Sequence, residues 1–319
     1  MTSPTRSDVH VDAVLTGISV AYIQSQTDFI ATRVFPIVPV DKRSDVFYTY
    51  AKNDWFRDEA QLRAPGTESA GGSYGLSTDT YSCDVWAFHK DVPDQVVANE
   101  DAPLDSYRDA TQFVTRKLLL RQEVQWAGDY FTTGVWGTDK TGGTDFTRWD
   151  DYAASDPFED IEAGKETILS TTGFEPNTLV LGYSVFRKLK RHPDLRDQIK
   201  YTTPDNVTAE IMASLFELDR VLVAKAVKAT NVEGETAAYS FVQGKHALLC
   251  YSAPSPGLLQ PSAGYIFAWR GVSGTLGATV GVDRFRMQHL KADRIEGEVA
   301  FDDKVVASDL GYFFANAVS

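Results

Sequence analysis

The sequence predicts an α+β fold in which regular elements are combined with long extended segments. Three observations support this. A helical apolar pattern continues for about seven turns. In two other segments apolar and polar residues alternate, as they do in long strands. Finally, a charged, glycine-rich stretch contains adjacent aromatic residues but has no core periodicity.

The composition is that of a globular chain: of 319 residues, 43% are hydrophobic and 24% are charged. This length suits one large or two ordinary domains. The net charge of -13 argues against tight binding to nucleic-acid phosphates, although it is compatible with enclosing nucleic acid. Cys83 and Cys250 are too few for a disulfide framework, so a reducing compartment is indicated, while a single buried pair stays open. We expect neither a secretory signal nor a membrane-spanning segment.

The first elements are extended. In "FIATRVFPIVPV", residues 29–40, Pro36 and Pro39 exclude a helix and predict an arm that lies across another surface. The stretch "YAKNDWFRDEAQLRAPGTESAGGSYGLS", residues 50–77, contains Trp55 and Phe56 side by side. Loops of this length inside a domain usually serve a function, are disordered, or are covered by a partner.

A long strand and a long helix follow. Apolar and polar residues begin to alternate near Tyr81, and this segment, which ends at Pro93, is predicted to be the strand. Asp105 or Ser106 can cap the helix. The apolar face predicted along this helix consists of Ala110, Phe113, Leu120, Val124, Ala127 and Phe131.

The central part predicts an α/β subdomain. After a glycine-rich boundary at residues 132–151, Asp156 can cap a helix that has Pro157 in its first turn and Gly173 at its end. A buried strand and a short helix follow, and residues 209–227 repeat the helix-then-strand order. Near the end, residues 292–303 alternate as a half-exposed strand, and the early long strand is its expected partner.

No catalytic, cofactor or metal motif is visible, and we expect a protein that is not an enzyme and carries no cofactor. We interpret each histidine, the near-elbow at Ser19, and the Asp150–151 and Asp302–303 pairs as structural or solvated residues. The histidines are His10, His89, His192, His246 and His289. The only compact basic patch is "RKLKRH", residues 187–192, a solvated or subunit-facing surface. The protruding segments are typical of a protein that its neighbours complete.

In their order, these pieces resemble the major capsid protein of tailed double-stranded DNA phages, the Hong Kong 97-type fold. "FIATRVFPIVPV" resembles the N-terminal arm, and "YSCDVWAFHKDVPDQVV" with the helix at residues 106–131 resembles the peripheral-domain strand and spine helix. "EPNTLVLGYSVFRKLKRHPDL", "LFELDRVLVAKAV" and "PSAGYIFAWRG" resemble the axial domain, and "DRIEGEVAFDDKVVASDLGYFF" the returning peripheral strand and tail.

The resemblance implies five regions. They are an N-terminal arm (1–45), an extended loop (46–80), a peripheral-domain strand and spine helix (81–155), an axial domain (156–285), and a returning peripheral strand with the C-terminal tail (286–319).

The resemblance also implies a function. Pentamers and hexamers would form an icosahedral shell that encloses double-stranded DNA without binding it tightly. The shell would be assembled in the host cytoplasm as the virion capsid, with scaffolding, portal and decoration proteins as partners and no membrane. In this interpretation Trp55, Phe56, Arg57 and Arg63 of the extended loop contact an adjacent subunit.

Two departures from the family pattern limit what is carried over. Some members join subunits by an isopeptide bond from a loop lysine, but beyond Lys52 this loop has only Arg57 and Arg63 as basic residues. Some also begin with a long helical scaffold, for which there is no room before the arm, so a separate scaffold or none is expected.

Three alternatives stay open on sequence alone. An encapsulin-like compartment shell shares the fold but normally has a shorter, differently placed loop and an N-terminal cargo-docking helix. A cytosolic hydrolase without a recognisable motif would behave as a soluble monomer. A tail or other virion protein would form tubes instead of closed shells.

Overall fold

The computed structural model describes residues 24–100, 104–199, 207–257, 259–272 and 280–319. Ser19, His10 and much of the arm lie outside these ranges. The strands are β1 Ile37–Val40, β2 Ser44–Tyr50, β3 Leu76–Ser82, β4 Asp84–Pro93, β5 Thr138–Thr141, β6 Thr178–Gly182, β7 Arg220–Ala224, β8 Val227–Ala229, β9 Tyr239–Phe241, β10 Ala247–Cys250, β11 Gly264–Trp269, β12 Gly281–Met287, β13 Ala292–Val305 and β14 Gly311–Ala315.

The α-helices are α1 Ala31–Val34, α2 Lys52–Trp55, α3 Asp94–Val97, α4 Ser106–Tyr130, α5 Pro157–Thr172, α6 Tyr183–Leu189, α7 Pro193–Ile199 and α8 Ala209–Leu215. Short 3-10 helices occur at Gln26–Asp28, Gln288–Leu290 and Ser308–Leu310. We call α4 the spine helix.

The first sheet is organised around β13, a strand of 14 residues. One edge of β13 pairs antiparallel with β4, and the other edge pairs antiparallel with β12 and then with β11. The arm strand β1 adds in parallel to β11. The expected pairing of the early long strand with the returning strand is thus confirmed.

The spine helix begins where predicted, because the Asp105 carboxylate accepts hydrogen bonds from the backbone N–H groups of Tyr107 and Arg108. The predicted apolar face was partly wrong. Ala110 and Phe131 are buried, but Phe113 is 45% exposed. The buried face is formed by Ala110, Val114, Leu118, Gln122, Glu123, Trp126 and Tyr130. Two polar residues interrupt this face, so its apolar pattern could not be followed by hydrophobicity alone.

The second sheet has the strand order β5-β14-β10-β6-β7. α5 packs on β10 and β14, and α6 packs on β6 and β7. As predicted, Asp156 caps α5, Pro157 lies in its first turn, and Gly173 ends it with a left-handed φ of 71°.

Two strands belong to other sheets than their sequence neighbours suggested. The resemblance groups residues 261–271 with the axial domain, but β11 lies in the first sheet between β1 and β13. The resemblance groups β14 with the returning peripheral strand and tail, but β14 lies in the second sheet between β5 and β10. Both strands are short buried apolar runs, and such runs reveal burial without revealing the partner strand. The region boundaries themselves stay a prediction.

The two sheets share one hydrophobic core. At their junction the ring of Phe35 lies 4.8 Å from that of Tyr130 and 6.4 Å from that of Trp126. Phe131 then makes an edge contact with Phe313 of the second sheet, with the ring centroids 5.5 Å apart. The end of the spine helix therefore holds the sheets together.

The spine helix crosses β13 at Gly297. A Cβ atom at this position would lie 2.6 Å from Cγ1 of Val114 and 2.8 Å from Cδ1 of Leu118. We therefore expect Gly297→Ala to lower the free energy of unfolding by about 1–3 kcal/mol, because the helix must move away from the strand. The measurement is urea unfolding of the unassembled subunit.

Gly128→Ala is the matched control for this prediction. Gly128 lies in the exposed part of the same helix, with no atom within 4 Å of an added Cβ, so alanine should raise stability by up to about 1 kcal/mol. Equal effects of the two substitutions would contradict the close crossing at Gly297.

Candidate subunit interface

The extended loop is a two-stranded ribbon whose outer face is apolar. β2 pairs antiparallel with β3 from Ser44↔Ser82 to Tyr50↔Leu76. Alternate residues of β2 point outward, and Val46 and Tyr48 are 49% and 63% exposed. Leu76, opposite Tyr50, is also exposed. The ribbon thus presents an apolar surface that its own chain leaves uncovered.

The far end of the ribbon carries an aromatic cluster. The Trp55 ring lies 5.7 Å from that of Tyr74 and 6.2 Å from that of Tyr50. The rings of Tyr50, Trp55 and Tyr74 contact one another, yet all three remain exposed. The exposed fraction is 55% for Trp55 and 61% for the neighbouring Phe56. The structure therefore places both predicted aromatics on the surface. Their contact with another subunit stays a prediction.

One side of this tip rests on the same chain. Lys52 forms an ion pair with Asp309. The Phe56 ring lies against Gly173, where an added Cβ would be 3.3 Å from its Cε1 atom. The contacts hold one side of the tip, and the aromatic cluster faces away from the chain.

The two predicted arginines have partners within the loop. Arg57 Nη1 lies 3.4 Å from a Glu59 carboxylate oxygen, and Arg63 Nε donates to the Thr67 carbonyl over 2.6 Å. The structure does not bring these guanidinium groups together. Their contact with a neighbouring subunit is untested.

Sequence reasoning missed most of the apolar face of the ribbon. The signal was present in "DVFYTY", residues 45–50, where Val46, Tyr48 and Tyr50 occupy every second position. The resemblance assigns residues 46–80 to the extended loop as a whole, and this assignment does not distinguish a strand within it. The intervening Phe47 points inward, with its ring 5.4 Å from that of Phe267 in β11, so the alternation separates an inner face from an outer face.

Carboxylates of the spine helix and β13 hold the roots of the arm and the ribbon. Glu123 of the spine helix accepts hydrogen bonds from the backbone N–H groups of Ile30 and Ala31, each over 2.9 Å, and a further one from the Gln243 amide. Asp302 accepts a hydrogen bond from the backbone N–H of Ser82, at the end of β3, over 2.9 Å. Both protruding segments are thus attached to the spine helix and β13 through acidic side chains.

The interpretation of Asp302 and Asp303 as solvated turn residues was wrong. Both lie within β13 and are half-buried, and Oδ2 of Asp303 is enclosed without a hydrogen-bond partner among the described residues. Burial raises the pKa of Asp302 and Asp129, and raises that of Asp303 well above its usual value. Burial also raises the pKa of Glu123 to about 7. These carboxyl groups lie close enough to repel one another when ionised.

The buried His192 lies between a serine and an aspartate, as the histidine of a nucleophilic triad does. Ser155 Oγ lies 3.0 Å from Nε2 of His192, and an Asp194 carboxylate oxygen lies 3.5 Å from Nδ1. However, the Ser155 hydroxyl donates to the Asp151 carbonyl over 2.6 Å, and Nδ1 accepts from the Asp194 backbone N–H. Nε2 therefore carries the proton, which is the wrong tautomer for a base acting on Ser155. Burial lowers the pKa of His192, which keeps the ring neutral in a structural role.

Within the ranges that the structure describes, no group of three or more His, Cys, Asp and Glu side chains is arranged to hold a metal ion. In these same ranges no helix has the length and hydrophobicity needed to cross a bilayer.

Comparison with known proteins agrees with this architecture. No family model matches the sequence. The chain is 28% identical over 318 residues to the major capsid protein of Burkholderia phage BcepMu, covering 96% of each chain. It is 25% identical over 320 residues to the major capsid protein of Pseudomonas phage JBD67, covering 97% of each.

Solved structures show the same fold. A phage-related protein from Bordetella bronchiseptica RB50 aligns with a TM-score of 0.70 and 25% identity, over 92% of this chain and 93% of that one. The capsid protein of cyanophage P-SCSP1u aligns with a TM-score of 0.63 and 11% identity, over 98% of each. The SrpI encapsulin of Synechococcus elongatus aligns with a TM-score of 0.53 and 10% identity, over 95% and 93%.

The arm, ribbon, spine helix and two sheets thus form the Hong Kong 97-type fold, as the sequence predicted. The fold alone is shared with an encapsulin, so the full-length relatives decide between the two. The chain is a phage major capsid protein, a structural component of the icosahedral virion shell.

The buried carboxylates predict a pH dependence. Because the pKa of Glu123 rises from 4.5 to about 7 in the folded chain, its contribution to stability is fully present below about pH 4.5. This contribution is lost as the pH rises through about 7, and its size is roughly 3 kcal/mol. Urea unfolding of the unassembled subunit should therefore show stability falling between about pH 5 and pH 7.

Glu123→Gln should flatten this pH dependence. A glutamine keeps a side-chain oxygen that accepts from the two arm N–H groups. Oε1 of Gln243 is buried without a partner among the described residues. If the Gln243 amide flips, this oxygen can accept a hydrogen bond from the new amide NH2 group. Some slope should remain, because Asp129, Asp302 and Asp303 shift in the same direction. An unchanged slope in the variant would show that Glu123 does not titrate in this range.

Proposed function

We propose that this chain assembles into pentamers and hexamers that close into an icosahedral shell around a double-stranded DNA genome. In this arrangement the outer face of the ribbon is covered by the adjacent subunit. The observation that carries the proposal is the aromatic cluster of Tyr50, Trp55 and Tyr74, which the subunit itself leaves exposed.

Physical chemistry supports a partner for this surface. Covering one large apolar side chain contributes about 1.5–3 kcal/mol, and contiguous exposed apolar patches on soluble proteins mark interaction sites. The exposed members are Val46, Tyr48, Tyr50, Trp55, Phe56, Leu62, Tyr74 and Leu76. A surface of this extent is stabilised by an adjacent copy and unfavourable in an isolated chain.

The charge of the chain supports a container that does not bind its contents tightly. With a net charge of -13, the shell would repel DNA phosphates overall. Scaffolding, portal and decoration proteins are the partners we propose, with assembly in the host cytoplasm. Negative-stain electron microscopy of virion preparations and of the recombinant protein tests the proposal. Closed icosahedral particles are expected, and a monomer alone in both preparations would reject it.

The ribbon tip provides the mutational test. We expect Trp55→Ala combined with Phe56→Ala to weaken each subunit contact by a few kcal/mol, because the burial of two large apolar side chains against the adjacent subunit is lost. The circular dichroism and urea midpoint of the unassembled subunit should change little, whereas shells should become fewer or less stable in sedimentation and electron microscopy.

Two control variants make this test specific. Val232→Ala changes an apolar residue that is 70% exposed outside the extended loop, and shells should then form normally. Phe56→Ala alone removes the ring that contacts Gly173 of its own chain, and so separates that contact from the contribution of Trp55. If the double variant destabilises the subunit but what folds still forms normal shells, the rings belong to the subunit's own core.

A further inference from the structure

The outer edge of β4 is unpaired. β4 pairs with β13 along one edge, and no strand among the described residues pairs with its other edge. The backbone N–H of Asp94 donates to the Lys291 carbonyl, and in an antiparallel ladder every second residue turns its backbone groups toward the partner strand. Counting back from Asp94, the residues whose N–H and C=O groups point away from β13 are Val85, Ala87, His89 and Asp91. We call this side of β4 the open edge.

The backbone groups along the open edge have no hydrogen-bond partner among the described residues. Val85, Ala87 and His89 are also exposed. An unpaired strand of this length is a template on which another extended segment can add, because the added strand satisfies the free N–H and C=O groups.

Aromatic rings and cations lie beside the open edge, on the side of the spine helix. The guanidinium carbon of Arg121 lies 3.8 Å from the centroid of the Trp86 ring. The ammonium groups of Lys90 and Lys117 lie 5.9 and 5.4 Å from the centroid of the Phe113 ring. Within the part of the chain that the structure describes, none of these three cations forms an ion pair. Their positive charge is therefore available to a partner.

The other face of the sheet has the opposite charge. In the ladder, Glu298 lies across from Ala87 and Glu296 lies across from His89. Residues that lie across from each other share a face, so both carboxylates lie on the face that is turned away from the spine helix. A strand added at the open edge thus meets cations on one side and carboxylates near the other. Such an edge favours a segment with acidic residues on one side only.

Residues 8–15 of this chain, "DVHVDAVL", have this pattern. Val9, Val11 and Ala13 alternate with polar residues, and the two acidic residues, Asp8 and Asp12, are four positions apart. In a strand the valines and the alanine share one side, and both aspartates share the other. The segment therefore has one apolar and one acidic side.

The spacing of the charges also matches. In an extended strand, residues four positions apart lie on the same side, about 14 Å from each other. Trp86, which carries the Arg121 guanidinium, and Lys90 are separated by the same four positions on β4. Asp8 and Asp12 can therefore meet the two cationic positions at the same time, in either strand direction.

The arm of the same copy enters the subunit on the opposite flank. β1 pairs with β11, and β11 pairs with the edge of β13 that faces away from β4. Before β1, the backbone of Ile30 and Ala31 is held by Glu123. Glu123 follows Lys117 by six residues, or about 600° of helix rotation, so the two side chains diverge by about 120° around the axis. This arrangement favours the arm of a second copy as the occupant of the open edge.

We propose that residues 8–15 of an adjacent copy add as a strand to the open edge of β4. The two aspartates then meet the cations beside the spine helix, and the valines lie beside Val85 and Ala87. Main-chain hydrogen bonds supply affinity in such a contact, and the side chains set the register. The inference rests on the proposed shell assembly and adds a contact between its copies that is separate from the ribbon.

A disulfide trap tests this contact. The register that matches the charges places His10 opposite Phe88 in either strand direction, at a Cα separation of about 4.5–5.5 Å, which a disulfide can span. His10→Cys and Phe88→Cys are introduced into separate chains, which are co-produced and oxidised with diamide in assembled shells. We expect a disulfide-linked dimer on a non-reducing denaturing gel. The native Cys83 and Cys250 are buried and should not contribute.

Phe285→Cys provides the matched control. Phe285 lies on β12, at the other edge of β13, and is 43% exposed, compared with 36% for Phe88. Co-production with the His10→Cys chain should give no dimer. Each single-cysteine chain produced alone should also remain monomeric on the gel.

A proline tests the main-chain hydrogen bonds. Ala87→Pro, added to the Phe88→Cys chain, removes an N–H that points away from β13, and edge strands tolerate proline at such positions. The circular dichroism and urea midpoint of the unassembled subunit should change little. The yield of the linked dimer should fall about tenfold, because a hydrogen bond to the added strand is lost. Ala87→Ser keeps the N–H and should leave the yield unchanged. The disulfide trap decides alone if Ala87→Pro prevents folding.

The remaining outcomes would overturn the inference. One is the formation of normal shells without a linked dimer. Another is an intrachain disulfide in a chain that carries both His10→Cys and Phe88→Cys, with no dimer from the mixed chains, which would assign the open edge to the arm of its own copy. A dimer between Phe88→Cys and Tyr48→Cys chains in its place would assign the edge to the ribbon. If the wild-type chain forms no shells at all, the proposed assembly is wrong and this inference falls with it.

Discussion

The packing of the spine helix against β13 determines where the other parts of the subunit lie. Val114 and Leu118 can approach the strand closely only because residue 297 has no side chain. Further along the same helix, Trp126 and Tyr130 pack with Phe35, and Phe131 reaches Phe313. A single rigid element therefore fixes the first sheet, the arm and the second sheet relative to one another.

The protruding segments are attached to this framework by polar contacts. Glu123 holds the start of α1, and Asp302 holds the end of β3. Hydrogen bonds to buried carboxylates are directional and depend on ionisation, whereas the apolar packing beneath them is neither. The subunit thus combines a core that is insensitive to pH with arm and ribbon attachments whose stability changes as carboxyl groups titrate.

Sequence reasoning succeeded where a local physical signal determines the structure. Asp105, Asp156 and Gly173 marked helix ends correctly because capping depends on neighbouring backbone groups. It failed where the answer depends on distant residues. Gln122 and Glu123 occupy buried positions because their partners lie elsewhere in the chain, and nothing within β11 or β14 specifies which sheet each one joins. The aromatic tip was located from sequence, but the outer face of β2 was missed because it was grouped with the loop.

The exposed ribbon and the polar contacts at its root meet two different requirements of a shell. An apolar face contributes affinity in proportion to its area but tolerates sliding, because the hydrophobic effect has no direction. The hydrogen bonds to Glu123 and Asp302 are directional, so they hold the roots of the arm and the ribbon in one orientation. In this chain the two are carried by separate parts of one framework, so the exposed apolar face of the ribbon is presented in a fixed orientation.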